Sequence, residues 1–357
     1  LAQQFYKLQV KDVEKTTSDC TLVRFDVPDT LQEAFHFHQG QHLTLRTTLN
    51  GEDVRRSYSL CSSPLDKEWK VAVKKIEGGV FSGFVNDNLQ AGDELEVMNP
   101  HGNFFVEPRP DAETHYVAFA AGSGITPIYS ILKTHLALEK KAQFSLFYTN
   151  QNVHSIILKE EIEAIKNQYL DRFSPYFFLT QEDRDVSLFN GRMDEEKMGL
   201  IGKYLLDFKS VDHYFLCGPE EMIFMIRDFL TAQGVAESKI HFELFTTAAG
   251  QKRARAPKKT SSDTHQVQVV LKEGGKSTRF SMAKDSESIL EAALRYNSGL
   301  PFACKGGVCC TCKAKLLEGQ VEMEVNYALE KDQVDAGYIL TCQSLPLTDT
   351  IVVDFDQ

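Results

Sequence analysis

Four cysteines late in the sequence have the spacing of a dinuclear iron–sulfur site. Cys304, Cys309 and Cys312 fall within nine residues, and Cys342 follows after 29 more. Two sulfide-bridged irons need four thiolates, and one tight loop supplies three of them. Gly306 and Gly307 let that loop turn its amides toward sulfur, where N–H···S bonds help set the reduction potential. Cys310 adjoins Cys309 but falls outside the spacing and is left unligated. Zinc is the rival metal, yet a structural zinc site usually shows two short Cys pairs, and this stretch offers one pair and two singles. Disulfides fit less well, because five of the eight cysteines crowd into the last 54 residues. Cys20 and Cys61 read as ordinary buried thiols.

A second group of residues suits a flavin dinucleotide. In Arg56-Ser57-Tyr58-Ser59 the guanidinium fork matches pyrophosphate oxygens. Tyr58 offers a flat face to an isoalloxazine ring, and Ser59 a hydroxyl near its N5. Alone, the tetrapeptide reads equally as a strand with a surface Arg. Its company changes that reading: Gly40-Gln41-His42 precedes it, and Gly79-Val80-Phe81-Ser82 follows at an expected helix start. Backbone amides at such a start favour phosphate.

A third group suits a nicotinamide coenzyme. Ala121-Gly122-Ser123-Gly124-Ile125-Thr126-Pro127 joins an expected strand to an expected helix, and Cys217-Gly218-Pro219 does the same further on. Small residues there let the backbone approach a ligand. The first motif lacks the third glycine of the dinucleotide fingerprint, and a plain strand-to-helix turn competes with it. Cys217 reads alternatively as a core thiol. Downstream, Glu243 and Phe245 end the expected sheet, with core packing one reading for Phe245.

These residues need three kinds of scaffold. Strands expected at Phe5–Val13, Thr21–Val27, His42–Leu49, Ser57–Cys61, Trp69–Ile76 and Glu94–Met98, punctuated by Gly, Pro and Asn, imply an antiparallel barrel plugged by a helix near Phe81–Leu89. From His115 the rhythm becomes strand–helix: His115–Ala120, Pro127–Leu138, Gln143–Tyr148, Ser155–Gln168, Ser174–Thr180, Asp212–Cys217, Pro219–Thr231 and Ile240–Phe245. Pro127 is expected at the first helical position. This alternation implies a parallel, doubly wound sheet. A hairpin at Val267–Leu271 and Ser277–Ser281 and a helix at Ser286–Ser298 precede the cysteine loop. The expected division is a β-barrel at 1–110, a nucleotide-binding α/β domain at 111–247, a linker at 248–265 and an α+β iron–sulfur domain at 266–357. Within Thr246–Gln266, the basic residues Lys252, Arg253, Arg255, Lys258 and Lys259 read as a solvated stretch. A link of this length would let the last domain move between flavin and partner.

The formal net charge of −11 argues against nucleic-acid binding. No run of about 18 apolar residues predicts a membrane span. No charged segment followed by an apolar one opens the sequence, so a cytoplasmic location is expected.

Together the flavin and nicotinamide motifs resemble the ferredoxin–NADP reductase superfamily. The stretch Pro301–Cys312 resembles the plant-type ferredoxins, whose fold is a β-grasp. The order of the three parts is similar to the reductase components of multicomponent oxygenases. Within that group, Gly337–Gln343 and Val352–Asp356 resemble the reductases of the phenylacetyl-CoA epoxidase type. The resemblance implies FAD held by Arg56, Ser57, Tyr58, Ser59, Val73, Gly79, Val80, Phe81 and Ser82. It implies a coenzyme held by Gly122, Ser123, Gly124, Thr126, Cys217, Gly218 and Pro219, with Phe245 against the flavin. Ser59, Cys217 and Glu243 would be catalytic. Cys304, Cys309, Cys312 and Cys342 would ligate the cluster. Electron counting then sets the order. A nicotinamide gives two electrons as hydride, a [2Fe–2S] cluster takes one at a time, and a flavin does both. Electrons would pass from NAD(P)H to FAD, to the cluster, and on to an oxygenase component. Reductases of ring-hydroxylating, steroid or alkane oxygenases share these motifs. A redox sensor without turnover is the reading from another class.

NADP is slightly favoured over NAD. The loop Thr149–Ser155 carries no Asp or Glu to hold a ribose 2′-hydroxyl. It carries no Arg either, so Ser155 with Arg184 or Arg192 would have to receive a 2′-phosphate.

Overall fold

The computed structural model describes residues 4–245, 266–284, 287–297 and 299–357. Two compact units emerge, one spanning Phe5–Phe245 and the other containing the described residues from 266 onward. The expected linker at 248–265 lies outside the described residues.

The first unit begins with six strands: β1 (Phe5–Thr17), β2 (Cys20–Asp26), β3 (His42–Leu49), β4 (Glu52–Ser59), β5 (Trp69–Lys74) and β6 (Glu94–His101). They pair in the order β4-β3-β6-β1-β2-β5, all antiparallel. A bridge from Leu60 to Val71 joins the two ends and closes the barrel. Alternate residues fill it: Leu8 and Val10, Leu43 and Leu45, Val71 and Val73, Leu95 and Val97. Helix α1 (Val80–Asp87) adds Phe81 and Val85, four residues apart and so on one face. β4 starts five residues before the expected Ser57, because its first half is polar and carries no alternating apolar signal.

The same unit continues as β7 (His115–Ala121), α2 (Ile125–Leu138), β8 (Gln143–Asn150), α3 (Lys159–Gln168), β9 (Phe173–Leu179), α4 (Glu195–Tyr204), β10 (His213–Cys217), α5 (Glu220–Ala232) and β11 (Ile240–Glu243). The strands form a parallel sheet in the order β11-β10-β7-β8-β9. The chain therefore winds outward in both directions from β7, and the switch point lies between β7 and β10. Ligands of open α/β sheets bind at such a point, beyond the carboxyl ends of the strands.

Three expected boundaries move. Helix α2 starts at Ile125, so Pro127 is its third residue rather than its first, and Gly122–Gly124 is a 3₁₀ turn. The helix expected from Ser155 starts at Lys159. Asn152 and Ser155 cap each other reciprocally around a short 3₁₀ turn, and Leu158 then sits at φ +58°. Helix α4 has no counterpart in the expected elements. It buries only Met198 and Ile201, too few for a clear period, and its start is fixed by Asp194 accepting from the Lys197 amide.

The second unit contains β12 (Gln266–Glu273), β13 (Lys276–Ala283), α6 (Ile289–Leu294), β14 (Lys313–Glu318), β15 (Val321–Met323), α7 (Lys331–Asp335), β16 (Tyr338–Leu340), β17 (Ser344–Pro346) and β18 (Thr350–Asp354). Five strands form a mixed sheet, β13-β12-β18-β14-β16, with β12 and β18 parallel; β15 and β17 pair separately. Ile289, Leu290, Ala292 and Ala293 of α6 share a core with Val267, Val269, Leu271, Ile351 and Val353, giving a β-grasp. The helix is shorter than the expected Ser286–Ser298, because Ser288 and Glu291 form a capping box that fixes its start.

Candidate functional site

The cysteine loop joins α6 to β14. Cys304, Cys309 and Cys312 lie on it and Cys342 follows β16; none is in a disulfide, and all but Cys304 are buried. Three thiols from one loop and a fourth after β16 fit a [2Fe–2S] cluster, where each iron takes two thiolates. The Gly306 amide donates to Cys304 Sγ at 3.3 Å. Gly307 sits at φ +77°, and a Cβ there would lie 2.9 Å from the Val325 carbonyl oxygen, so this turn requires glycine. Cys310 points away into the core, its Sγ 2.7 Å from the Ala328 carbonyl oxygen.

The flavin motif lies along β4 and the start of α1. Arg56 is exposed, with one guanidinium N–H on the Arg55 carbonyl at 2.7 Å. Tyr58 remains part-exposed and packs its ring 5.8 Å from Phe81. No side chain caps the first turn of α1 after Gly79. Its free amides, with the Tyr58 ring packed on Phe81 of the same turn, fit a pyrophosphate followed by a flat ring system. Three of the implied flavin residues are turned inward. Val73 lies in the barrel core with its carbonyl bonded to Asn86. Phe81 is buried there too. The Ser82 hydroxyl accepts from the Ile76 amide and donates to the Gly79 carbonyl, leaving its backbone amide as the group that faces the helix start. Ser57 shares a hydrogen bond with Thr44 at 3.1 Å.

The nicotinamide motifs meet at the switch point. β7 and β10 are neighbours, with Ala120 opposite Cys217, so Gly122–Gly124 and Cys217–Pro219 leave the sheet side by side. A Cβ on Gly124 would sit 2.1 Å from the Cys217 carbonyl oxygen, so the two turns touch through backbone. Gly122 adopts φ +53° with open space where a side chain would be. Its carbonyl is held by the Tyr148 hydroxyl at 2.9 Å. The Thr126 hydroxyl donates to the Ser123 carbonyl at 3.0 Å, and no side chain caps α2. These uncapped amides fit a coenzyme phosphate.

A polar contact joins the two halves of this unit. Ser59 Oγ donates to Glu243 Oε2 at 3.1 Å, linking the end of β4 to the end of β11. Burial pushes the Glu243 carboxyl up to about 8, against the ionising pull of the Ser59 hydrogen bond. His42 Nδ1 lies 4.0 Å from Glu243 Oε1. Burial, and then the neighbouring His101, lower His42 to about 3. Burial therefore favours the uncharged form of both groups. Cys217 is fully buried, and burial keeps it a thiol. Phe245 is partly exposed at the end of the segment. Sequence reasoning quoted His42 only as part of a motif. Its contact with Glu243 depends on tertiary pairing that no local signal carries.

Each of the three parts matches a known family. A family model for oxidoreductase FAD-binding domains matches residues 7–106, one for oxidoreductase NAD-binding domains matches 119–228, and one for 2Fe-2S iron-sulfur cluster binding domains matches 271–347. The chain is 43% identical to the E subunit of 1,2-phenylacetyl-CoA epoxidase of Escherichia coli K12, over 99% of this chain and 98% of that one. It is 32% identical to the ferredoxin reductase component of 3-ketosteroid-9-alpha-monooxygenase of Rhodococcus rhodochrous, over 98% and 96%. This chain belongs to the family of oxygenase ferredoxin-reductase components. The solved structure of phthalate dioxygenase reductase shares its fold, with a TM-score of 0.57 and 24% identity over 98% of both chains. The reductase is an NAD(P)H-dependent oxidoreductase with FAD, nicotinamide and [2Fe–2S] domains. None of its described helices is long and apolar enough to cross a membrane.

Proposed function

We propose that this reductase carries electrons from NAD(P)H through FAD and the cluster to the oxygenase component of a multicomponent monooxygenase, and that the reaction served is phenylacetyl-CoA epoxidation in cytoplasmic phenylacetate catabolism. The observation that carries this reading is the 43% identity to the Escherichia coli epoxidase E subunit, which runs through all three parts of the chain.

In this reading the chain divides at 1–110, 111–247, 248–265 and 266–357. Arg56 and the amides of Gly79–Ser82 hold the pyrophosphate. Ser57 and Val73 shape the cleft from β4 and β5, and Tyr58 covers the flat ring. Gly122, Ser123, Gly124 and Thr126 receive the coenzyme phosphates through backbone amides. Cys217, Gly218 and Pro219 pass along the nicotinamide, and Phe245 shields the flavin. When bound, FAD accepts two electrons as hydride and releases them singly. Ser59 and Glu243 hold and move the associated proton beside it. Cys304, Cys309, Cys312 and Cys342 hold the cluster.

NADPH is the proposed coenzyme, because the loop Thr149–Ser155 carries no acid of its own. One observation favours NADH as a second reading. Glu182 accepts from the Val153 amide at 2.9 Å and brings a carboxylate to that loop, where it would repel a 2′-phosphate.

The test is an anaerobic titration of the purified protein with each coenzyme, followed by mixing with purified phenylacetyl-CoA epoxidase or steroid monooxygenase components. Bleaching of flavin and iron–sulfur absorbance, then product formation with the epoxidase alone, is the expected result. Bleaching with turnover only in the steroid system would overturn the epoxidase assignment. No bleaching by either coenzyme would overturn the electron-transfer reading.

A further inference from the structure

The fourth cysteine is followed by Gln343, and the backbone of Gln343 is fixed on both sides. Its amide donates to the Leu340 carbonyl at 2.9 Å, and its carbonyl accepts from the Glu324 amide at 2.9 Å. The side chain then turns back over the cysteine loop. Its Nε2 lies 2.8 Å from the Lys305 carbonyl oxygen, 3.1 Å from the Cys342 carbonyl oxygen and 3.7 Å from Cys342 Sγ. All three neighbours are acceptors, so only the N–H face of the amide suits this position; the opposite flip would set an oxygen against them. Its Cγ occupies space next to Gly307, where a Cβ would come within 3.2 Å of it.

Two of the four thiols lie beside an N–H of this loop or its flank. Cys304 receives the Gly306 backbone amide, and Cys342 receives the Gln343 side chain. The first donor is built into the chain, whereas the second depends on one side chain. We propose that Gln343 is the positioning residue that sets the reduction potential of the [2Fe–2S] cluster, by donating an N–H to the Cys342 thiolate while clamping the segment at Lys305. This rests on the assignment of Cys304, Cys309, Cys312 and Cys342 as the cluster ligands.

The physical reason is charge. Reduction brings one electron to the cluster, drawn from the reduced flavin, and no atom or proton passes to Gln343. The added negative charge spreads onto the thiolates, so an N–H dipole aimed at one of them stabilises the reduced form more than the oxidised form. Removing that donor lowers the potential. Putting a carboxylate in its place lowers it further.

The experiment uses the full chain carrying both cofactors. Cluster content is read from absorbance and electron paramagnetic resonance, and midpoint potentials of cluster and flavin from one potentiometric titration. In Gln343→Leu the cluster spectrum is retained. The ratio of reduced to oxidised cluster at fixed potential falls about tenfold, ~59 mV for a one-electron couple. Gln343→Glu falls further, and Gln343→Lys, which restores an N–H donor, returns to the wild-type midpoint or above it. The flavin midpoint stays unchanged throughout. Should the Gln343→Leu protein lose its cluster, the opposed shifts of Gln343→Glu and Gln343→Lys decide alone. Unchanged midpoints with intact clusters would overturn the proposal while leaving the ligand assignment in place. A wild-type chain without cluster absorbance after anaerobic reconstitution with iron and sulfide would overturn both.

Discussion

Ser59 Oγ lies 3.1 Å from Glu243 Oε2, although 184 residues separate the two in sequence. The barrel contributes the hydroxyl and the edge strand of the parallel sheet contributes the acid. The contact therefore exists only when both halves of the unit are folded and in register. It places a hydroxyl beside a buried carboxyl at the end of β4 and next to Cys217, the β10 partner of Glu243.

The acid makes stability depend on pH. Glu243 is held at about 8 against an ordinary 4.5, so between those values the folded chain keeps a proton that the unfolded chain has released. Its contribution is full below about 4.5 and gone above about 8. Replacing it by Gln removes this loss. In urea unfolding, Glu243→Gln should gain on the order of 3 kcal/mol over wild type on moving from pH 5 to pH 8. Parallel curves for the two proteins would refute the protonated state.

The hydroxyl should matter for rate more than for coenzyme binding. Ser59→Ala removes the donor to Glu243 and is expected to slow flavin reduction on the order of tenfold, the worth of one hydrogen bond at a buried acid. Stopped-flow bleaching at saturating coenzyme measures this, with the apparent coenzyme affinity as the control that stays constant.

The two glycines of the nicotinamide turn should respond differently. Gly124→Ala drives a methyl to 2.1 Å from the Cys217 carbonyl oxygen, a backbone clash that must part α2 from β10. It should abolish coenzyme-dependent bleaching and lower the thermal midpoint. Gly122→Ala meets open space and faces only the left-handed φ of +53°, a cost of about 1 kcal/mol. Calorimetry and a coenzyme titration separate the two variants.

At the opposite end of the sheet, Glu139 Oε1 gathers His135 Nδ1 at 2.8 Å, the Tyr116 hydroxyl at 2.8 Å and the Arg109 amide at 2.9 Å. Both Glu139 and His135 are completely buried. Glu139→Ala would strand these donors and should cost about 3 kcal/mol or more in denaturant unfolding, with coenzyme affinity preserved. Glu139→Gln keeps an acceptor and should cost less.

Cluster ligation separates the neighbouring cysteines. Alanine at Cys304, Cys309, Cys312 or Cys342 should each abolish iron–sulfur absorbance. Cys310→Ala should retain it, because that thiol lies in the core against the Ala328 carbonyl and outside the ligand spacing. Iron and acid-labile sulfide assays on the five variants decide this.

The legible parts of the sequence were those whose chemistry is local. The cysteine spacing, the strand-to-helix turns at Gly122 and Cys217, and the change from short strands to alternating strands and helices all act within a few residues. What sequence could not carry was tertiary pairing. Nothing near Ser59 announces Glu243, and nothing near His42 announces that its ring will face the same acid. Helix α4 went unseen because its buried face is only two residues wide. The start of α3 was misplaced because the reciprocal caps of Asn152 and Ser155 compete with helix propagation. The inward turn of the Ser82 hydroxyl likewise follows from its place in the Ile76–Gly79 turn, not from its residue type.

The position of β11 at the sheet edge has a bearing on biosynthesis. On the ribosome the barrel strands emerge first, and domains fold roughly in the order in which they are made. β11 is the last strand of its sheet to appear and also the outermost, pairing with β10 alone. It can therefore add to a finished sheet without displacing anything. Until it does, Ser59 has no acid beside it, so a nascent chain can fold both scaffolds before the contact between them forms. Four residues added at the rim bring Glu243 to Ser59.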